Sequence, residues 1–457
     1  MSILVPNEVY PIPTKSGELS EEQRAGRDRI YAAPLETLNP GDPAGFENQE
    51  MWWKFERLRA EDPVHYTPEE NTEHRAYWSI TKWDDIIEID ADPLRFSNET
   101  TPSLALPGSS LAVLRTLPED ATPEEIREAE IRGIPSLLSM DPPEHGIHRG
   151  AVAEGVSPAN LAAFEPLIRE RIGKILDELP IGEEFDWVDL VSKDLTATTL
   201  ATLFGYPQEK RRDLINWSDI ATTIPGPGRI VETNEEKDVI MQEFFNVFRE
   251  LIEQRSKEEP QGDFISLMAH SPHMKTFTPM EIQGDAGVLL IGGNDTTRNT
   301  LSGSVYALHM FPEQDRKLRE NPKLIPSMVA ETIRWQTPLS HMSKRAAADF
   351  EFGGKQMKKG DKIVLWYVSG NRDDSKLDRP NEYIVDRKNP RQHLSFGFGV
   401  HRCLGNRLGE LQLRLAWEEI LKRFPEVKVV GEPVRAHNNF AKGYDSMTVI
   451  IPSRYDA

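Results

Sequence analysis

The chain has 457 residues, 38% hydrophobic and 28% charged, enough to bury a large core and too apolar for a disordered or fibrous protein. Asp and Glu number 74 against 54 Lys and Arg, and the net charge of −20 argues against nucleic acid as a partner. A single cysteine excludes an internal disulfide, a CxxC redox pair, a zinc ribbon and a four-cysteine iron–sulfur cluster. The opening MSILVPNEVYPIPTKSGE lacks the basic start and roughly 7–15-residue apolar stretch of a secretory leader. No apolar run approaches the ~18 residues of a spanning helix, so a cytoplasmic chain without a membrane span is expected.

Residues 1–50, rich in Pro, Gly and charge, are expected to wrap the surface. Segment 97–140 reads as irregular. From 160 to 320 the pattern is mostly helical, clearest at 160–179 and 235–256, with a break at 222–232 around Pro225-Gly226-Pro227-Gly228. Thr278-Pro279-Met280-Glu281 then supplies an N-cap, a first-turn proline and a capping-box acid. The helix it opens stops at Phe311-Pro312, about 32 residues and ~48 Å on. Strands are predicted at 348–352 and 362–368 about the turn Lys359-Gly360-Asp361, followed by an irregular stretch at 369–402 and a helix at 405–423. A loop of roughly 30 residues inside a compact chain is usually functional. No linker or internal repeat divides the chain, so one mainly α domain over 1–457 with a small β region is expected.

Cys403 closes that loop, in Phe396-Gly397-Phe398-Gly399-Val400-His401-Arg402-Cys403-Leu404-Gly405. A lone cysteine is ordinarily a small buried hydrophobe. Here it stands at a predicted helix N-terminus beside Arg402 and His401, where a thiolate is stabilised. Phe396, Gly399, Cys403 and Gly405 fit F-x-x-G-x-x-x-C-x-G, and the segment resembles the haem-binding loop of the cytochrome P450 monooxygenases. The resemblance implies a P450 fold, haem b as cofactor, Cys403 as the ligand to the haem iron and Phe396 as part of its loop.

Further segments carry the same resemblance. Glu331-Thr332-Ile333-Arg334 places acid and base on one helix face, an ordinary pair when taken alone. It resembles the family's E-x-x-R motif, with Arg387 as the third member of a triad that folds the cysteine loop. Gly292-Gly293 inside the long helix costs roughly 1 kcal/mol per glycine, and fits either a tight helix crossing or a ligand groove. With Asn294-Asp295-Thr296-Thr297 it resembles the oxygen-activating helix, where Asp295 would relay protons and Thr296 would hydrogen-bond the activated oxygen. His145 and Arg149, four apart in Asp141-Pro142-Pro143-Glu144-His145-Gly146-Ile147-His148-Arg149, resemble the clamp on the haem carboxylates, and no zincin order is present. Arg345 and His401 match further carboxylate ligands of the family.

The runs at 292–299, 333–339, 366–373 and 394–403 look similar to the soluble bacterial terminal alkane and fatty-acid hydroxylases. That implies electrons from a ferredoxin and its reductase, and insertion of one oxygen into the end C–H of a medium-chain alkane, alcohol or fatty acid. Val288, Ile291, Gly292, Leu339 and Phe440 are the candidate apolar wall, although such residues fill any core. Loops 97–140 and 205–235 must supply the narrow channel that terminal selectivity requires. Arg402, Arg407 and Arg414 are the candidate basic patch for an acidic ferredoxin. A steroid or terpene hydroxylase and a non-catalytic haem-thiolate sensor are the alternatives, and the sensor has no need of Asp295-Thr296.

Overall fold

The computed structural model describes residues 10–12, 18–118 and 120–455. Helices dominate, and the capped sequence at Thr278 forms the longest, Pro279–Met310, with 32 residues. Thr278 accepts from the Glu281 amide and the Glu281 side chain accepts from the Thr278 amide, so the start is fixed locally. Around this helix pack Pro158–Asp177, Asp194–Phe204, Arg211–Thr222, Asn234–Arg255, Ile325–Gln336 and Asn406–Arg423. The expected break at 222–232 holds neither helix nor strand between Thr222 and Asn234.

Two apolar cores meet along the long helix. One gathers Trp187, Leu301, Met328, Trp417 and Ile420 around its C-terminal half. The other gathers Leu200, Phe204, Phe244 and Phe264 around Leu290 in its first half. The two central glycines serve different ends. A Cβ on Gly293 would lie 2.5 Å from Leu200, so this glycine permits a helix crossing, whereas at Gly292 it would meet nothing within 4 Å. The helix-crossing reading holds for Gly293, and Gly292 faces open space.

The β region centres on a five-stranded sheet in the order Val64–Thr67, Tyr77–Ile80, Lys362–Leu365, Met342–Ala346 and Phe96–Ser97. Tyr77–Ile80 runs parallel to Lys362–Leu365, with Trp78 opposite Ile363, and the other pairs are antiparallel. Phe350–Phe352 pairs with Lys355–Met357 to form the hairpin that precedes the turn. Ile12, Leu19, Ile30, Leu38 and Phe46 from the N-terminal segment enter a core with Trp53, Phe55 and Trp366.

Segment 97–140 is not irregular throughout. It contains the helix Pro123–Arg132, with a Thr122/Glu125 capping box, a first-turn proline and Gly133 at its end. None of its residues is buried, so it contributes nothing to either helical core.

Candidate active site

The cysteine loop is held in place by a buried ion triad. Glu331 and Arg334 are fully buried, with contacts of 2.7 and 2.8 Å, and Arg387 reaches the same carboxylate at 2.8 Å. Burial alone would raise the Glu331 pKa, but Arg334 and Arg387 outweigh it and hold the carboxyl below its ordinary value. Arg334 also donates to the carbonyls of Asn371, Pro380 and Glu382, and Glu331 accepts from the Ile384 amide. One salt-linked cluster thereby orders the segment before the cysteine, as the motif predicts.

At the end of that segment the Cys403 amide donates to the Phe396 carbonyl at 2.8 Å, closing the loop ahead of the helix Asn406–Arg423. The sulfur opens onto a cavity of about 260 Å³ below the middle of the long helix. Removal from bulk water pushes the thiol pKa up, against the Gly405 amide, Arg149 and Arg402, which lower it. A coordinated metal cation reverses that balance, because a ligating thiol is deprotonated outright.

One side of the cavity is basic. Arg149, Lys344 and His401 line it, with His145 directly behind. The His145 and His401 rings lie 4.0 Å apart. Nε2 of His145 and both ring nitrogens of His401 are buried with no hydrogen-bond partner among the described residues. Burial, then neighbouring positive charge, lowers both imidazole pKa values. Arg149 donates to the Arg402 carbonyl at 2.8 Å and has no carboxylate at ion-pair distance among the described residues. Unpartnered buried donors cost free energy unless a ligand satisfies them. Opposite a free thiol, this donor set fits a planar group bearing two carboxylates, as haem does.

Arg345 is not part of this set. Side chains alternate along Met342–Ala346, and Arg345 points away from the cavity, forking onto Glu128 at 2.6 and 2.8 Å. Its neighbour Lys344 faces inward, bonded to Asn98 at 2.7 Å and paired with Asp90 at 3.2 Å. Arg345 instead fastens the helix Pro123–Arg132, on which Glu128 lies. Sequence reasoning missed Lys344, and phasing the strand by its two-residue repeat was the available signal.

The other side is apolar. Val288, Ile291, Gly292 and Thr296 face the cavity from the long helix, and Leu339 and Phe440 close it, with Leu339 bridged to Ala441. Leu137, Leu138 and Met342 extend the wall and were not among the sequence candidates. Thr296 donates to the Gly292 carbonyl at 2.8 Å. Asp295 lies behind the wall, fully buried, 2.8 Å from Arg298. Arg298 in turn meets Asp219, which Lys193 holds at 3.0 Å. Burial raises the Asp295 pKa to about 6 although Arg298 pulls it down, and its second oxygen is unpartnered.

Of the three arginines near the cysteine, Arg402 and Arg407 are exposed, while Arg414 is bound to Glu165 and Glu418, each at 3.0 Å. The basic patch is therefore two residues, not three. Among the described residues no helix is long and apolar enough to cross a membrane.

The family profile for cytochrome P450 matches residues 229–444. Linalool 8-monooxygenase of Pseudomonas putida is 33% identical over 87% of this chain and 94% of its own. The methyl-branched lipid omega-hydroxylase of Mycobacterium tuberculosis is 28% identical over 86% and 90%. The structure of cytochrome P450-153 from Novosphingobium aromaticivorans superposes with a TM-score of 0.79 at 37% identity, covering 91% of this chain and 99% of that one. With similarity along nearly the whole length, and a thiol facing unpartnered basic groups across one cavity, the chain belongs to the cytochrome P450 superfamily and is a haem-thiolate monooxygenase.

Proposed function

We propose that this monooxygenase works as one haem b domain and hydroxylates the terminal carbon of medium-chain alkanes, alcohols or fatty acids, with electrons delivered by a ferredoxin and its reductase. One observation carries the reading: the wall beside Thr296 is built from Val288, Ile291, Gly292, Leu339 and Phe440, none of which offers a side-chain polar group. Such a pocket binds hydrocarbon by burial, worth about 25 cal/mol per Å² of apolar surface. Relatives named for linalool oxidation and for omega-hydroxylation of methyl-branched lipids support an apolar chain as substrate.

When bound, haem supplies dioxygen activation, to which the thiolate contributes electron density. Cys403 would hold the iron, and His145, Arg149, Lys344 and His401 would bind the carboxylates. Asp295, half-protonated near pH 6, holds a proton behind the wall, and Thr296 presents a hydroxyl within it. Together they would supply protons to the oxygen chemistry that haem carries out. Arg402 and Arg407 offer positive charge to an acidic electron donor.

The test is product analysis after turnover of dodecane and dodecanoate with a surrogate ferredoxin system. Mostly terminal alcohol is expected, and mostly subterminal product overturns the regiochemistry. The linalool 8-monooxygenase relative favours a terpene as the second reading, and turnover of linalool with little dodecane oxidation selects it.

A further inference from the structure

The long helix carries a second buried carboxylate, Asp285, on the Val288 side and about 16 Å before Thr296 at ~1.5 Å per residue. It is 2% exposed and both of its oxygens are engaged. Oδ1 accepts from the Leu137 amide at 2.8 Å, and Oδ2 accepts from His148 Nδ1 at 2.7 Å. His148 is itself buried and stacks on Phe277, with centroids 3.7 Å apart and planes within 7°. The segment around Leu137 lies directly on the helix, since a Cβ on Gly284 would fall 2.0 Å from the Pro135 carbonyl. It turns back through Ser136 and Ser139, whose amides donate to the Ser139 hydroxyl and the Ser136 carbonyl, each at 2.9 Å, and Leu137 and Leu138 both line the cavity. His148 sits on Glu144–Val152, the helix that carries His145 and Arg149.

We infer that Asp285 is a positioning residue for substrate. Its carboxylate joins three parts of the site: the oxygen-side helix, the Leu137–Leu138 wall and the helix presenting His145 and Arg149. A hydrogen-bonded acceptor fixes the height of a loop amide in a way that apolar packing does not, because the bond is directional. The wall is thereby held against the far end of a bound chain, which limits how deep the chain slides past Thr296. This inference rests on the apolar-substrate reading for its consequence and on the hydrogen bonds alone for its geometry.

The test compares haem-loaded wild type with Asp285→Asn, Asp285→Leu and the double variant Asp285→Leu/His148→Leu. Amide exchange of peptides spanning 134–140 is the first readout, and KM, kcat and product distribution on dodecane are the second. The asparagine variant keeps an oxygen for the Leu137 amide and is expected within twofold of wild type in exchange and selectivity. The leucine variant and the apolar pair are expected to exchange at least tenfold faster over 134–140. Both should raise KM severalfold with kcat within twofold, and shift product to subterminal carbons. Wild-type exchange in the apolar pair means that packing alone holds the loop, and overturns the inference. If the leucine variants do not fold, Asp285→Ser removes the reach to Leu137 without adding bulk, and exchange equal to that of asparagine overturns it equally. Subterminal product from the wild type sinks the substrate reading instead, and leaves the exchange result to stand or fall by itself.

Discussion

Asp295 and Thr296 are neighbours in sequence and lie on different sides of one helix wall, the acid buried behind it and the hydroxyl in the cavity. Folding lifts the Asp295 carboxyl from 3.8 to about 6, chiefly by burial. Between those values the folded chain keeps a proton that the unfolded chain has released, so the contribution of this group to stability falls as pH rises from about 4 to about 6. Asp295→Asn removes the titration, and its stability measured across that window should decline less than that of wild type. A positioned proton donor contributes about 10²-fold or more to rate, so the same variant should lose at least that in turnover, together with any inflection near pH 6. Unchanged turnover would remove Asp295 from the proton path. Gly292-Gly293-Asn294-Asp295-Thr296 marks this pair locally, whereas Asp219, the far partner of Arg298, was not legible because it lies on another helix 79 residues before that arginine.

Elements, more than single residues, separate what sequence reveals from what it hides. The long helix was readable end to end because Thr278, Pro279 and Glu281 start it and Phe311-Pro312 stops it, all through local chemistry. Pro123–Arg132 carries equally good caps but buries nothing, and it is tied down from a distance, by Arg345 reaching Glu128 across 217 residues and by Arg75 on Glu130. The misassigned arginine and the unrecognised helix are thus two sides of one tertiary contact. The E-x-x-R helix is the opposite case, an unremarkable ion pair locally that becomes decisive when buried. Removing one partner from a buried ion pair costs about 3–5 kcal/mol, since the remaining charges lose their compensation. Glu331→Ala leaves Arg334 and Arg387 facing each other without an acid. Urea unfolding should register a loss in that range, and the purified variant should retain little haem. A loss below about 1 kcal/mol, the worth of an exposed pair, would place the triad outside the folding of the cysteine loop.

Across the whole molecule, a chain of net charge −20 gathers basic groups at one internal face, with ring nitrogens of His145 and His401 unpartnered among the described residues, and sets its one thiol opposite them. The five-stranded sheet and both helical cores deliver side chains to that cavity, among them Lys344, Leu413 and Leu200. Sulfur–iron ligation by Cys403 is the claim on which the chemistry rests. Reducing the purified protein and adding carbon monoxide tests it directly. A Soret band displaced far to the red, as thiolate-bound haem gives, is predicted for the wild type and its loss for Cys403→His. An unshifted band in the wild type, or a red-shifted one in the variant, would contradict the assignment.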